Sequence, residues 1–170
     1  MITPEENVML YTYIPSPLGD LLATRDEVGI TGLYLPTGKH VMAVKDGWTR
    51  DDGAFDDLRA QLAQYFAGER QEFVLPLNAS GTAFQQRVWA ALCDIPYGET
   101  ASYGATATAI GAPTASRAVG LANGQNPISI VVPCHRVIGA AGALTGYGGG
   151  LEAKQWLLAH EASQAGLFAG

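Results

Sequence analysis

Hydrophobic and polar residues form short alternating runs over the first third of the chain. Runs rich in β-branched and aromatic residues cover Val8–Ile14, Leu21–Arg25 and Ile30–Leu35. Turn-forming segments, residues 15–19 and 27–29, separate them. Such runs bounded by Pro and Gly are typical of strands joined by tight turns. The pattern predicts a small three-stranded unit.

A helical period follows. Gly68 is expected to end a helix. The apolar residues before it recur at helical spacing, and they are Phe55, Leu58, Leu62, Tyr65 and Phe66. Residues 39–53 show no period and are expected to form a loop. An extended stretch, Phe73–Leu77, leads to an expected boundary near residue 78. We therefore predict a small α/β scaffold domain over residues 1–78.

The second half is predicted to be mostly helical. Thr82 and Gln85 form a capping-box pattern at the start of a helix, and Pro96–Gly98 ends it. Its expected buried residues are Phe84, Val88, Trp89 and Leu92. Further helices are expected at about Ser102–Ile110, closed by Gly111, and at about Pro113–Ala122. This pair fits a helix-turn-helix, although a plain helical hairpin explains the same pattern. We predict a second domain over residues 79–170.

Composition and charge narrow the class of protein. The chain is 48% hydrophobic and 15% charged, as expected of a globular protein. It has no run of about 20 apolar residues and no signal-peptide pattern at its start, so we expect a cytoplasmic protein without a membrane segment. Residues 1–80 carry the whole net charge of −6, and residues 81–170 are neutral with four basic and four acidic residues. Any DNA contact by the second half should therefore involve few phosphates.

Two cysteines are too few for a disulfide framework. Cys134 directly follows Pro133 and precedes His135 and Arg136. Cationic neighbours stabilise a thiolate, the reactive form of cysteine, so this motif indicates a nucleophile. The alternative is a buried structural cysteine, and that is the interpretation we give to Cys93, which lies on an apolar helix face.

Two features follow the cysteine. The glycine-rich run from Gly146 to Gly150 can bring backbone N–H groups against a planar ligand, or it can be a simple flexible loop. A last helix carries Lys154 and Glu161. Glu161 would have a chemical role only if it had a partner such as His135.

Together these motifs resemble the O6-alkylguanine-DNA alkyltransferase family. The resemblance runs from about Gly81 to Glu161 through FQQRVWAAL, IPYGETASYG, SRAVGLANGQNP, IVVPCHRVIG, LTGYGGG and KQWLLAHE. The first half resembles the family's N-terminal domain more loosely, through SPLGDLLAT and VGITGLYL. The resemblance implies an α+β protein with a ribonuclease-H-like first domain and a winged-helix or helix-turn-helix second domain.

The resemblance also implies catalytic roles. Cys134 matches the cysteine that accepts the alkyl group, irreversibly and once per molecule. His135 matches the base that takes its proton through a water, and Glu161 matches the carboxylate that orients that histidine. Asn126 matches the asparagine that ties the helix-turn-helix to the active-site strand. Tyr103 matches a tyrosine that donates to guanine N3 of the flipped base.

Residues for binding DNA and substrate follow in the same way. Arg117 matches an arginine finger that fills the gap left in the base stack, and Lys154 matches a lysine that supports the pocket. Tyr147 matches the wall of that pocket, and Gly148 stands where some relatives have serine, which would leave a more open pocket. The remaining expected contacts to DNA or substrate are Ala115, Ser116, Gly149 and Arg136.

The implied partner is double-stranded DNA containing O6-alkylguanine, with O4-alkylthymine left open. We expect no cofactor, no metal, and a monomer in solution, with cooperativity on DNA left open. Two other functions fit parts of the sequence. A non-catalytic DNA-binding module would be expected to lack Cys134, and a Cys-His hydrolase would turn over many times.

Overall fold

The computed structural model describes residues 9–38, 41–139 and 147–168. The first half forms a four-stranded sheet with the order β3-β2-β1-β4. Its strands are β1 (Leu10–Ile14), β2 (Leu21–Arg25), β3 (Ile30–Tyr34) and β4 (Thr49–Arg50). The first three form an antiparallel meander, and β4 pairs with β1 in parallel. The three strands predicted from the sequence are confirmed to within two residues at their ends.

The expectation of a loop over residues 39–53 is wrong in part. Within its described portion, the backbone N–H groups of Thr49 and Asp51 donate to the carbonyls of Met9 (2.9 Å) and Tyr11 (3.0 Å), which creates β4. A 3-10 helix, Asp52–Phe55, follows immediately. A strand of two residues is too short to leave a periodic pattern, so the sequence could not indicate it.

Helix α1 (Asp56–Phe66) buries Leu58, Leu62 and Tyr65. It ends at the predicted glycine: Gly68 has a φ of 79°, the left-handed conformation that glycine adopts without a steric cost. Its N–H donates to the carbonyl of Tyr65 at 3.1 Å. The helical period read from the sequence is therefore confirmed, with Tyr65 on the buried face.

The second half contains four helices and a short pair of parallel strands among the described residues. They are α2 (Ala83–Cys93), β5 (Ala101–Ser102), α3 (Tyr103–Ala109), α4 (Ser116–Gly124), β6 (Val137–Ile138) and α5 (Leu151–Phe168). The capping box of α2 is confirmed: the Thr82 hydroxyl accepts from the N–H of Gln85 (3.1 Å), and the N–H of Thr82 donates to the side chain of Gln85 (2.8 Å). Such a cap stabilises a helix by about 1 kcal/mol.

Helices α3 and α4 form the predicted pair and pack on α2. The indole of Trp89 in α2 donates to the carbonyl of Ala122 in α4 at 2.9 Å. Helix α4 begins three residues later than predicted and ends two residues later, because it continues through Asn123 and Gly124. The predicted fold class, a small sheet domain followed by a helical domain, is confirmed.

One hydrophobic core runs through both halves. Leu33 of β3 donates its N–H to the carbonyl of Pro127 (2.8 Å) and accepts from the N–H of Ser129 (3.0 Å). The segment after α4 is therefore attached to the edge of the first sheet. The division at residues 78 and 79 stays a prediction. No described helix is both long enough and apolar enough to span a bilayer.

Candidate active site around Cys134

Cys134 lies in a buried turn. The segment before Cys134 was expected to form the active-site strand. It makes an isolated parallel β-bridge between Ile128 and Leu33, and the chain turns after it. Ile130 adopts a φ of 72°, a conformation that is sterically costly for a β-branched residue. A 3-10 turn, Cys134–Arg136, then leads into β6. This path places the thiol inside the protein.

Asn126 holds this turn through both ends of its amide. Its Nδ2 donates to the carbonyl of Val132 at 2.8 Å, and its Oδ1 accepts from the N–H of Ile128 at 3.0 Å. Asn123, from the last turn of α4, donates to the carbonyl of Cys134 at 3.3 Å. Asn123 and Asn126 together attach the end of the helix-turn-helix to the cysteine turn. This attachment is the role that the resemblance implies for Asn126.

The thiol of Cys134 is 4% exposed. Burial raises its pKa to about 11, although a hydrogen bond from Asn126 and the charge of Lys154 act in the opposite direction. At neutral pH the resting group is therefore a thiol. The sequence predicted a thiolate stabilised by His135 and Arg136, and this is wrong because both side chains interact with Glu161 instead.

His135 and Glu161 form a buried pair in which Nε2 lies 2.8 Å from Oε2. Burial alone would raise the pKa of Glu161, but hydrogen bonds and charge from His135 and Arg136 hold it well below its ordinary value. Burial lowers the pKa of His135. An ionised carboxylate only accepts hydrogen bonds, so Nε2 of the neutral histidine carries the proton. Nδ1 is then the basic nitrogen, and it contacts no hydrogen-bonding group among the described residues.

Arg136 was expected to contact DNA or substrate, and the structure contradicts this. Its Nε and one terminal nitrogen donate to the two oxygens of Glu161, at 2.8 and 3.0 Å. Its other terminal nitrogen donates to the carbonyl of Ile95 at 2.7 Å. The side chain is buried. Arg136 therefore orients and ionises Glu161 from the interior.

Tyr65 is a site residue that the sequence did not indicate. Its hydroxyl donates to Oε2 of Glu161 at 2.6 Å, across 96 positions of the chain. The helical period marks it only as a core residue, and nothing in that period separates it from the apolar residues beside it.

Lys154 and Tyr147 lie near the thiol. Lys154 is buried, and its Nζ donates to the carbonyl of Val137 at 2.6 Å, which supports the strand after the cysteine turn. Burial and the neighbouring Cys134 raise the pKa of Tyr147 well above its ordinary value. Tyr147 therefore keeps its phenolic proton at neutral pH.

A cavity of about 920 Å³ borders this cluster through Asn126 and Tyr147, which both interact with Cys134, while Cys134 itself is not among its lining residues. Asn126 and Ser129 form one part of its wall, and Tyr147, Gly148 and Gly149 form another. The glycine-rich run was predicted to border the substrate, and its described part, residues 147–150, lies at this cavity, while Gly146 lies outside the described residues. A further part of the wall comes from the first half, from Tyr34, Leu35, Thr37, Gly38 and Met42.

Arg117 lies exposed on α4. Leu121 and Gly124, one and two turns further along, line the cavity, so Arg117 lies on the helix face that leads to its mouth. Ala115 and Ser116 form the start of the same helix. Tyr103 begins α3, and its ring lies 3.7 Å from the position that a Cβ atom on Gly120 would take.

Few cations of the second half reach the surface. Residues 81–170 contain four lysines and arginines, and two of them, Lys154 and Arg136, are buried. Arg87 and Arg117 are exposed.

Cys93 was expected to be a small buried hydrophobic residue. It is instead exposed at the last position of α2. Partial desolvation and the charge of Asp94 raise the pKa of its thiol. Cys93 is therefore a protonated thiol at the end of α2, and its pKa responds to the charges of Asp94 and Arg136.

These features define a protein whose helix-turn-helix half carries a buried cysteine beside a His–Glu pair. Residues 83–163 match the family model described as 6-O-methylguanine DNA methyltransferase, DNA binding domain. Residues 9–79 match the model described as 6-O-methylguanine DNA methyltransferase, ribonuclease-like domain. The chain belongs to the methylated-DNA–protein-cysteine methyltransferase family.

Individual relatives support the same family assignment. The methylated-DNA–protein-cysteine methyltransferase of Mycobacterium bovis is 54% identical over 161 residues, covering 91% of this chain and 93% of that protein. Its counterpart from Methanosarcina acetivorans is 50% identical over 155 residues, covering 91% and 99%. The crystal structure of Mycobacterium tuberculosis OGT in complex with DNA has a TM-score of 0.85 and 54% identity, covering 91% of this chain and 94% of that one. The predicted family is confirmed.

Proposed function

We propose that this protein repairs DNA by direct reversal: Cys134 accepts the alkyl group of O6-alkylguanine in double-stranded DNA, once per molecule and without a cofactor. The observation that supports this most strongly is the buried contact of 2.8 Å between Nε2 of His135 and Oε2 of Glu161, directly after the buried Cys134 in the chain. Ionised Glu161 fixes the proton on Nε2 and leaves Nδ1 as a base in a buried site that also holds a protonated thiol. Family membership supplies the substrate class.

The reaction requires the proton of Cys134 to leave as its sulfur attacks. We propose that Nδ1 of His135 takes this proton through a water molecule. The sulfur then forms a bond to the alkyl carbon, and the bond between that carbon and O6 breaks with its electron pair remaining on guanine. The proton finally returns to the guanine ring through solvent. A thioether and unmodified guanine result, and no step regenerates the thiol.

The departing guanine carries negative charge, so donors must face it. The phenol of Tyr147 and the backbone of Gly148 and Gly149 line the cavity beside the thiol and are our candidates for contacts to O6. Tyr103 is the candidate donor to guanine N3. Because a base inside a duplex cannot reach a buried thiol, we propose that the lesion is flipped out of the stack, at a cost of a few kcal/mol.

Several properties of the protein in solution belong to the same proposal. We propose that it is a cytoplasmic monomer that needs no metal. The second half offers few surface cations, which fits a binding mode that depends on Arg117 of α4 and on the flipped base more than on many phosphate contacts.

Mass spectrometry after incubation with an O6-methylguanine oligonucleotide tests the proposal. We expect each protein molecule to gain one CH2 unit, located on Cys134 by peptide mapping, while the oligonucleotide loses the same mass. An unmodified oligonucleotide serves as the control. Release of more than one alkyl group per protein would instead support a Cys-His hydrolase, and binding without any mass gain would support a non-catalytic DNA-binding module.

Arg117 provides a test of base flipping. If it occupies the gap left by the flipped base, Arg117→Ala should slow alkylation of Cys134 by duplex O6-methylguanine about tenfold or more, because a stabilising contact of more than about 1.4 kcal/mol is lost from the extruded state. Alkylation by free O6-benzylguanine, which needs no extrusion, should be almost unchanged. The measurement is the rate of Cys134 alkylation with both substrates.

Arg87→Ala is the control for Arg117→Ala, since it removes a surface arginine of the same half from α2. Because Arg87 donates to the carbonyl of Ile110 at the end of α3, the melting temperature of this variant is measured as well. Arg87→Ala should weaken DNA binding slightly, and it should not slow alkylation by duplex O6-methylguanine much more than alkylation by free O6-benzylguanine. Equal slowing of both substrates by Arg117→Ala would contradict the wedge role.

A further inference from the structure

Oxygen Oε2 of Glu161 accepts three hydrogen bonds, and one of them comes from the other half of the molecule. His135 and Arg136 approach it from the cysteine turn at 2.8 and 3.0 Å. Tyr65, on the buried face of α1, makes the shortest contact at 2.6 Å. All four residues are buried. The first half was predicted to be a scaffold, yet it supplies a direct partner to the carboxylate.

We infer that Tyr65 is a positioning residue for alkyl transfer, whose hydroxyl fixes Glu161 and limits how strongly that carboxylate attracts the proton of His135. This inference rests on the proposed function. Each donor on a carboxylate withdraws negative charge from it, so Glu161 with Tyr65 is a weaker acceptor than Glu161 without it. His135 then stays neutral, and therefore basic at Nδ1, over a wider range of pH.

The aromatic packing around Tyr65 fixes its hydroxyl. Its ring lies edge-on to Phe66 and Tyr97, with centroids 5.1 and 6.2 Å away, and is tilted against Phe73 at 5.5 Å. His160 packs on it at 5.3 Å, with Nε2 at 2.9 Å from the carbonyl of Tyr65. A ring held on several sides cannot swing away from Glu161. Side chains from both halves therefore hold this hydrogen bond in place, Phe66 and Phe73 from the first and Tyr97 and His160 from the second.

Tyr65 also remains a donor under all relevant conditions. Burial and the adjacent Glu161 raise the pKa of its hydroxyl well above the ordinary value. The other charged or titratable groups that face the His135–Glu161 pair are Arg136 from the cysteine turn, Lys154 from α5, Tyr97 from the segment after α2, and Tyr147 from the glycine-rich run. Arg136 balances the charge of Glu161. The neutral hydroxyl of Tyr65 can therefore change the proton affinity of His135 without adding charge.

The test is Tyr65→Phe, which keeps the ring and removes only the hydroxyl. Two quantities are measured from pH 4.5 to 8.5: the rate of Cys134 alkylation by O6-benzylguanine, and the titration of the His135 imidazole by NMR in the unalkylated protein. We expect the pKa of His135, and the acid limb of the rate profile with it, to rise by about one unit. Rates near pH 8 should change much less than rates near pH 5.

Tyr13→Phe is the matched control, because it removes the same hydroxyl from a tyrosine of the same half that lies exposed on β1. Its profiles should coincide with those of the wild type. If Tyr65→Phe fails to fold, 3-fluorotyrosine at position 65 replaces it. This more acidic phenol donates more strongly, so the acid limb should move to lower pH.

Three outcomes would overturn part of this account. Profiles of Tyr65→Phe or of the fluorinated protein that coincide with the wild type would overturn the inference. Uniform slowing at every pH would assign Tyr65 a packing role only and would overturn it equally. If the His135 titration shifts as expected but the wild type accepts no alkyl group, the proposed function fails and the positioning role stands.

Discussion

Cys134→Ser is expected to abolish alkyl transfer while the affinity for duplex DNA stays nearly unchanged. A serine hydroxyl is a far weaker nucleophile than a thiol that loses its proton to a neighbouring base. Binding should survive because Cys134 is 4% exposed and cannot contact the DNA groove before the base is flipped. Serine is also close to cysteine in size, so the turn held by Asn126 should persist. Protein mass after incubation and an electrophoretic binding titration measure the two effects separately.

Cys93→Ser is the matched control for this substitution. Its thiol is exposed, at the end of α2, and its pKa is raised. This variant should gain one CH2 unit per molecule as the wild type does, with little change in thermal stability. An inactive Cys93 variant, or a methylated Cys134 variant, would show that the acceptor has been assigned to the wrong residue.

Local patterns in the sequence were sufficient for most of the fold. The strands β1 to β3 and the end of α1 at Gly68 were predicted because alternation, helical period and a left-handed glycine are all short-range signals. The capping box at Thr82 and Gln85 is equally local, and both of its hydrogen bonds are present. The family, which is confirmed, and the candidate acceptor Cys134 were both predicted from motifs that stand together in the chain.

The structure of the site differs from the prediction where the outcome depends on the contacts that side chains make with distant parts of the chain. His135 and Arg136 are adjacent to Cys134 in the chain, which predicted a stabilised thiolate. In the 3-10 turn the side chains of His135 and Arg136 both contact Glu161, 26 and 25 residues further along the chain. The contact of Tyr65 depends on how α1 packs against α5, and no short-range pattern carries that information. The exposure of Cys93 likewise depends on α2 ending at that residue.

Removal of His135 or of Glu161 is the second change with a large expected effect. His135→Ala and Glu161→Gln should each slow Cys134 alkylation by about 10² to 10³, because a positioned base typically contributes 10²- to 10⁴-fold. The double variant should be little slower than either, since residues that serve one function lose it only once. Glu161→Gln also leaves Arg136 as a buried, uncompensated charge, which costs about 3–5 kcal/mol. Rates must therefore be measured well below each variant's melting temperature.

The pH dependence separates loss of the base from a general loss of structure. In the wild type, burial lowers the pKa of His135, so the base is neutral at pH 7 and the rate should fall only as the pH drops through that lowered value. Without the base, the thiol must ionise by itself, and its pKa is about 11. The rate of His135→Ala should therefore climb about tenfold per pH unit from neutrality toward pH 10, where the wild type is flat.

Glu152→Gln is the matched control for these variants, because it makes the same change on the exposed first turn of α5. It should leave both the rate and its pH profile unchanged. Losses that multiply in the His135→Ala, Glu161→Gln double variant would show that the two residues act independently. A flat profile for His135→Ala between pH 7 and 10 would show that the thiol is already ionised at rest. The sulfur would then need no base, and Glu161 would serve only to keep Arg136 and the cysteine turn in place.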